Sequence, residues 1–176
     1  MNKQRIKILA AVTFGVLALT VCFSVLAGEP PVSEVILEST SWPVPGEDYW
    51  EGPATIWVDG EMWEGTVLYM HERATTNDNS WHGVETQIFD FGDLGTLEVS
   101  GIAMTTFDYV SPAHRWHHYT SHAKVTDGTG ALAKATGVFQ FGGYTDWEID
   151  PDTGFPISGY GWGGATAKIV GIELPE

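Results

Sequence analysis

The nine residues His114-Arg115-Trp116-His117-His118-Tyr119-Thr120-Ser121-His122 hold four of the six histidines and form the densest group of titratable side chains in the chain. On an extended backbone His118 and His122 share a face with Trp116, while His117 shares the other with Tyr119 and Ser121. Histidines four positions apart on a strand are separated by about 13 Å, too far to ligate one ion. A zinc site here would need a bend, or His114 and His117 converging across a loop at Ser111-Pro112-Ala113 with a carboxylate from elsewhere. The simpler reading, adopted here, is a half-exposed strand whose histidines pair with surface carboxylates, and no metal. Either reading implies a response near pH 6.

Asp146, Glu148, Asp150 and Asp152 alternate and would project from one face of a strand, an arrangement that invites Ca²⁺. The calcium-loop pattern is missing, because Gly154 stands at the wrong offset and no glutamate closes the loop. Pro151 and Gly154 explain the segment as a turn. Nucleophile chemistry has no motif either: there is no G-x-S-x-G, no phosphate loop, and the single cysteine, Cys22, lies near the N-terminus. No catalytic residue can be named, and no cofactor is expected. A glutamate or histidine buried in an apolar cavity would need no motif.

Aromatic residues are the remaining chemical resource. The eight tryptophans, Trp42, Trp50, Trp57, Trp63, Trp81, Trp116, Trp147 and Trp162, exceed what a core of this size requires. Such side chains make good walls for apolar or sugar-like ligands. Trp57, Trp63, Tyr69, Tyr144, Tyr160 and Trp162 are the candidate ligand-binding residues. Gly159, Gly161 and Gly163 alternate with Tyr160 and Trp162, leaving one face of that strand bare for close packing, a bend or a ligand.

The elements that would position these residues are strands. Ala54 to Val58 and Glu61 to Met70 flank Asp59-Gly60, a two-residue loop suited to type I′ geometry. In that register Trp57 faces Met62 and Ile56 faces Trp63, so both faces carry large apolar groups, as closed barrels and covered or cavity-lining sheets require. His71 to His82 is polar and reads as a loop. Val84 to Phe91 and Thr96 to Phe107 form a hairpin around Gly92-Asp93-Leu94-Gly95. The apolar phase shifts from Leu97 and Val99 to Ile102 and Met104, which predicts a β-bulge at Gly101. Arg115 to Thr126 and Leu132 to Trp147 flank a glycine-rich turn, Ile157 to Val170 closes the chain, and Val35-Ile36-Leu37 is a first short strand. Beyond residue 27, no window of eleven residues shows a helical period. The expectation is about eight strands, antiparallel because the connections are too short for crossovers.

Lys3, Arg5 and Lys7, the apolar run Ile8 to Leu26 and the small residue Ala27 read as a secretory signal peptide, residues 1–27, which places the protein outside the cytoplasm, secreted or periplasmic. The run also approaches the length of an uncleaved membrane anchor, and Leu19-Thr20-Val21-Cys22 is a poor lipoprotein site because Val21 is not small. Cleavage would leave 149 of 176 residues, without cysteine, as one domain: a lead and first strand over residues 28–52 and the rest of the barrel over residues 53–176. Five basic residues would then face 23 acidic ones, a charge of −18 that argues against nucleic acid and anionic membranes as partners. An oligomer is compatible with all of this.

Gly128-Thr129-Gly130-Ala131-Leu132-Ala133-Lys134-Ala135-Thr136-Gly137 resembles the G-T-G-x-[FLY]-x-x-A-x-G signature of the allene oxide cyclase and dirigent barrels. The resemblance implies a calycin-like, eight-stranded antiparallel barrel with an apolar cavity. It also implies cofactor-free steering of cyclisation or radical coupling, though no catalytic residue of those enzymes aligns with a position here. The expected function is therefore binding of a small apolar molecule in an aromatic-lined cavity. A cyclase or isomerase using a cavity carboxylate or histidine is the alternative, and a structural or partner-binding domain with a filled core is the third reading.

Overall fold

A computed structural model describes residues 30–77, 80–111, 113–150, 152 and 156–175. The predicted signal peptide and Cys22 lie outside the described residues, as do Asp78, Asn79, Pro112, and Pro151, Thr153 and Gly154 of the predicted acidic turn.

Eight strands run β1 (Val32–Pro43), β2 (Tyr49–Val58), β3 (Glu61–Asn77), β4 (Ser80–Asp90), β5 (Thr96–Ser111), β6 (His114–Gly128), β7 (Val138–Ile149) and β8 (Pro156–Val170). Each pairs antiparallel with the next, and β1 pairs with β8 from Val32↔Val170 to Ser41↔Gly161, so the sheet closes into an all-β barrel. Closure leaves no unpaired edge among these strands. The first strand is twelve residues long and bonded on both sides, rather than short.

Asp59 and Gly60 both have positive φ, 52° and 91°, as the type I′ turn requires. Asp59 Oδ1 also accepts from the Glu34 amide at 2.8 Å, tying the turn to β1. Trp57 points outward beside Met62, and Trp63 points inward against the core. One end of the barrel is solid. Leu37, Ile56, Phe89, Leu97 and Phe139 fill it with at most 2% exposure, and Leu94, Leu132 and Ile172 cap it from the connections and the C-terminal tail.

Three expectations are corrected. Residues 71–77 and 80–82 are strand rather than loop: β3 and β4 pair through Thr75↔His82, Thr76↔Trp81 and Asn77↔Ser80. Nor is there a bulge at Gly101. The inward phase of β5 runs Leu97, Val99, Gly101, Ala103, Thr105, and Ile102 and Met104 are 65% and 60% exposed on the outside. Register shifts sit instead between Glu98 and Val99, where Thr126 of β6 is the extra residue, and between Tyr109 and Ser111. Gly101 serves close approach instead, since a Cβ there would stand 1.9 Å from the His122 carbonyl oxygen. Finally, Leu132 to Gly137 does not begin β7; it forms a 3-10 turn at Gly130–Leu132 and a bridge from Thr136 to Val170.

Candidate functional site

The other end of the barrel is hollow. Here the strands deliver Trp50 from β2, Tyr69 from β3, Trp81 and Gln87 from β4, His117 and Tyr119 from β6, and Phe141, Thr145 and Trp147 from β7. Gly161 and Gly163 of β8 face them with no side chain, so the bare glycine face opens space for a cavity of about 80 Å³. At roughly 10–15 Å³ per water centre, it holds about six waters or an organic group of similar size.

The mouth is built from stacked rings. The Trp50 and His71 rings lie 4.5 Å apart and 3° from parallel, His71 stacks on Trp81 at 5.0 Å, and Trp50 stacks on Tyr69 at 5.0 Å. Trp147 closes the ring against Trp50 at 5.6 Å and His117 at 6.2 Å. Alternation dictates this arrangement: Tyr69 and His71, and His117 and Tyr119, are i, i+2 pairs on inward faces.

Beneath the rings lies a polar floor. Glu85 of β4 has no solvent exposure. Its Oε1 accepts from the Ser121 hydroxyl and from Gln87 Nε2 at 3.2 Å, and the same amide nitrogen donates to the Tyr119 hydroxyl at 3.0 Å. Tyr69 and Tyr119 also direct their hydroxyls at the carboxylate, although Oε2 has no donor at full hydrogen-bond geometry. Burial raises the pKa of Glu85 because desolvation penalises the carboxylate, and the bonds from Ser121, Gln87 and the two tyrosines only partly offset it. Burial first, then the charge of Glu85, pushes both Tyr69 and Tyr119 well above the usual phenol value. The tyrosines thus remain neutral donors around a carboxyl group that takes up a proton readily. Such a cluster can bind a polar group or hand a proton to one.

Of the six candidate ligand-binding residues, the cavity brings together two. Tyr69 and Trp162 line it, and Trp63 points inward into the packed core. Trp57 lies on the outside in a shallow depression with Glu34 and Ile36. Tyr144, Tyr160 and Trp162 form an external cluster, with ring centroids 6.2 Å apart for the two tyrosines and 5.9 Å for Tyr144 and Trp162. Trp57, Tyr144 and Tyr160 are corrected from interior to exterior positions, because their strands present the intervening glycines and core residues inward, whereas Trp162 both joins the external cluster and borders the cavity. Trp50, His71, Trp81 and Trp147 take the interior aromatic role.

The histidine cluster falls on the faces expected of a strand. His117 is inward beside Tyr119 and Ser121, while His114 and His118 are outward and pair with Asp146 and, at 3.1 Å, with Asp108. Asp146, Glu148 and Asp150 likewise have local partners: Glu148 accepts from Ser158 at 2.6 Å and Asp150 from the Asp152 amide at 2.8 Å. Among the described residues no cluster of three or more potential ligands is gathered around a metal position.

Glu85, Gln87 and Ser121 were not singled out by the sequence, yet a signal was present. Trp81, Glu85, Gln87, Phe89 and Phe91 share one alternation, so placing the phenylalanines in the core places the carboxylate there too. Compared with known proteins, the chain matches no family model, no curated protein and no solved structure.

Proposed function

We propose that this barrel is an extracytoplasmic binding protein for a small, largely apolar molecule, taken up through the aromatic mouth with one polar group resting on the Glu85 floor. The observation that carries the reading is the division of one interior into a solid apolar end and a hollow end, ringed by Trp50, Trp81 and Trp147 over a buried polar cluster. A core built only for stability would fill that space, since interiors pack to near-crystalline density. Native mass spectrometry of the purified protein, followed by tryptophan-fluorescence titration with a panel of small apolar molecules, tests it. Binding should be abolished in Gly163→Leu, whose side chain would occupy the cavity. No bound species and no fluorescence response in the wild type, or an unchanged response in the filled variant, would overturn the reading.

The buried Glu85 favours a second reading, a cofactor-free cyclase or isomerase in which this group moves a proton on the bound molecule. The Gly128 to Gly137 resemblance to the allene oxide cyclase and dirigent barrels supports it at the level of fold alone. For a ligand identified by the first experiment, Glu85→Gln would retain binding and lose turnover; equal turnover would remove this reading.

A further inference from the structure

We infer that the outer face of the sheet across β7, β8, β1 and β2 is a second binding site, for a neutral oligosaccharide laid over the strands between Trp162 and Trp57. Strand pairing sets Trp162 beside Thr40 and Trp57 beside Ile36, so the two tryptophans stand on opposite sides of β1 and four of its residues apart. That separation is about 13 Å along the strands and about 10 Å across them, long enough for several sugar rings in a chain. Between the tryptophans the surface is hollowed by two depressions, one of about 270 Å³ beside Trp162 and one of about 630 Å³ beside Trp57. Ile36 and Glu38 line both, so the hollows form one continuous strip.

The floor near Trp162 is bare for no reason internal to the fold. Gly142 and Gly164 are paired across β7 and β8, and neither has a positive φ. A Cβ would meet nothing within 4 Å at Gly142, and at Gly164 its nearest contact would be an ordinary 3.4 Å. At Gly143, one residue along, a Cβ would stand 2.2 Å from the Trp162 carbonyl oxygen, so there the paired strands do demand glycine. Glycine weakens a strand, and where neither dihedral nor neighbour requires it, it leaves room for something close to the backbone. At Gly142 and Gly164 that room lies outside the barrel.

The chemistry along the strip selects the occupant. Trp162 is 41% exposed and shares its rim with the half-exposed ring of Tyr144, at a centroid distance of 5.9 Å. Glu34, Glu38, Gln140 and Thr166 line the hollows beside the rings, and among the described residues their side chains hold no hydrogen bond or ion pair. Aromatic faces take the apolar side of a sugar ring, while carboxylate, carboxamide and hydroxyl groups together accept from and donate to its hydroxyls. A hydrocarbon would cover those polar groups without pairing them. A polyanion would meet Glu34 and Glu38 on a chain of formal charge −15, and a basic peptide would meet Lys168, which pairs with Glu34 across β8 and β1.

Calorimetric titration of the purified protein with cellotetraose, maltotetraose, mannotetraose, glucose and tetralysine provides the test, in wild type, Trp57→Ala, Trp162→Ala and Gly142→Val. At least one tetrasaccharide should bind with a Kd of about 1 mM or tighter, and at least about tenfold more tightly than glucose, because only a chain reaches both tryptophans. Each alanine variant should lose about fivefold or more. Gly142→Val should lose most of the binding while its midpoint in urea stays at or above that of the wild type, since the added side chain occupies open space. Silence from all three tetrasaccharides would overturn the inference, as would tetralysine binding as tightly as the best of them. Sugar binding that survives unchanged in Trp57→Ala and Gly142→Val would place the sugar elsewhere and overturn it too.

Discussion

Two glycines of this barrel should respond to the same added methyl group with opposite signs. At Gly101 a Cβ would lie 1.9 Å from the His122 carbonyl oxygen and 2.6 Å from the Ala123 Cα, both backbone atoms of the paired strand. Relief requires β5 and β6 to part, and overpacking of this kind costs about 1–3 kcal/mol. At Gly163 a Cβ would lie 3.6 Å from Tyr119 Cε1 and 3.8 Å from the Gly142 carbonyl oxygen, which is ordinary contact. Its backbone is not in the left-handed region, so alanine there recovers the roughly 0.5–1 kcal/mol that glycine costs in a strand. Gly101→Ala should therefore lose at least about 1 kcal/mol, and Gly163→Ala should gain about 0.5–1 kcal/mol. Urea unfolding followed by tryptophan fluorescence measures both, with unchanged m-values as the check on two-state behaviour. The reasoning fails if Gly101→Ala is as stable as wild type, or if Gly163→Ala is destabilised to the same extent. Either result would mean that the inner surface near β8 is not open or that β5 and β6 are not coiled this tightly.

Glu85→Gln should be stabilising in a pH-dependent way. A carboxyl whose folded pKa is raised penalises the fold as pH climbs above its unfolded value near 4.5, so the variant's advantage should be absent at low pH and grow to a plateau above the folded pKa. Unfolding free energies of both proteins measured from pH 4 to pH 8 check this, and an advantage that shrinks with pH would contradict it. Phe89→Ala removes a ring with no exposure, stacked on Phe91 at 5.9 Å, and should cost about 3–5 kcal/mol. Ile102→Ala, at a position 65% exposed, should change stability by less than about 0.5 kcal/mol in the same assay.

The fold was legible where local chemistry and global architecture agree. Asp59-Gly60 demands positive φ at both residues, and short connections everywhere demand antiparallel neighbours, so the hairpins and the closed barrel follow. It was illegible where apolarity and burial part company. Ile102 and Met104 are apolar and exposed, so taking them as the core phase placed a bulge at Gly101 that does not exist. Polar strand ends cause the converse error: Thr75, Thr76 and Asn77 pair in β3 although nothing in their composition distinguishes them from a loop. Backbone pairing can continue without the apolar pattern by which strands are recognised.

The site was hidden by the same ambiguity, doubled. In β4 the outward residues Val84 and Ile88 and the inward residues Trp81 and Phe89 are all apolar, so hydropathy does not choose between the two faces. Charge suggests that Glu85 faces water, whereas the neighbouring strands decide otherwise: Gly101 pairs opposite it on β5, and Ser121 supplies a donor from β6. Those partners lie 16 and 36 residues away and become neighbours only through the barrel's register. A buried carboxylate is therefore a property of three strands together. The exposed aromatics Tyr144 and Tyr160 make the complementary point, since their type suggested a cavity wall while the neighbouring glycines Gly161 and Gly163 are what face the interior. In a barrel of this kind, the residues that leave space identify the cavity better than the residues large enough to line it.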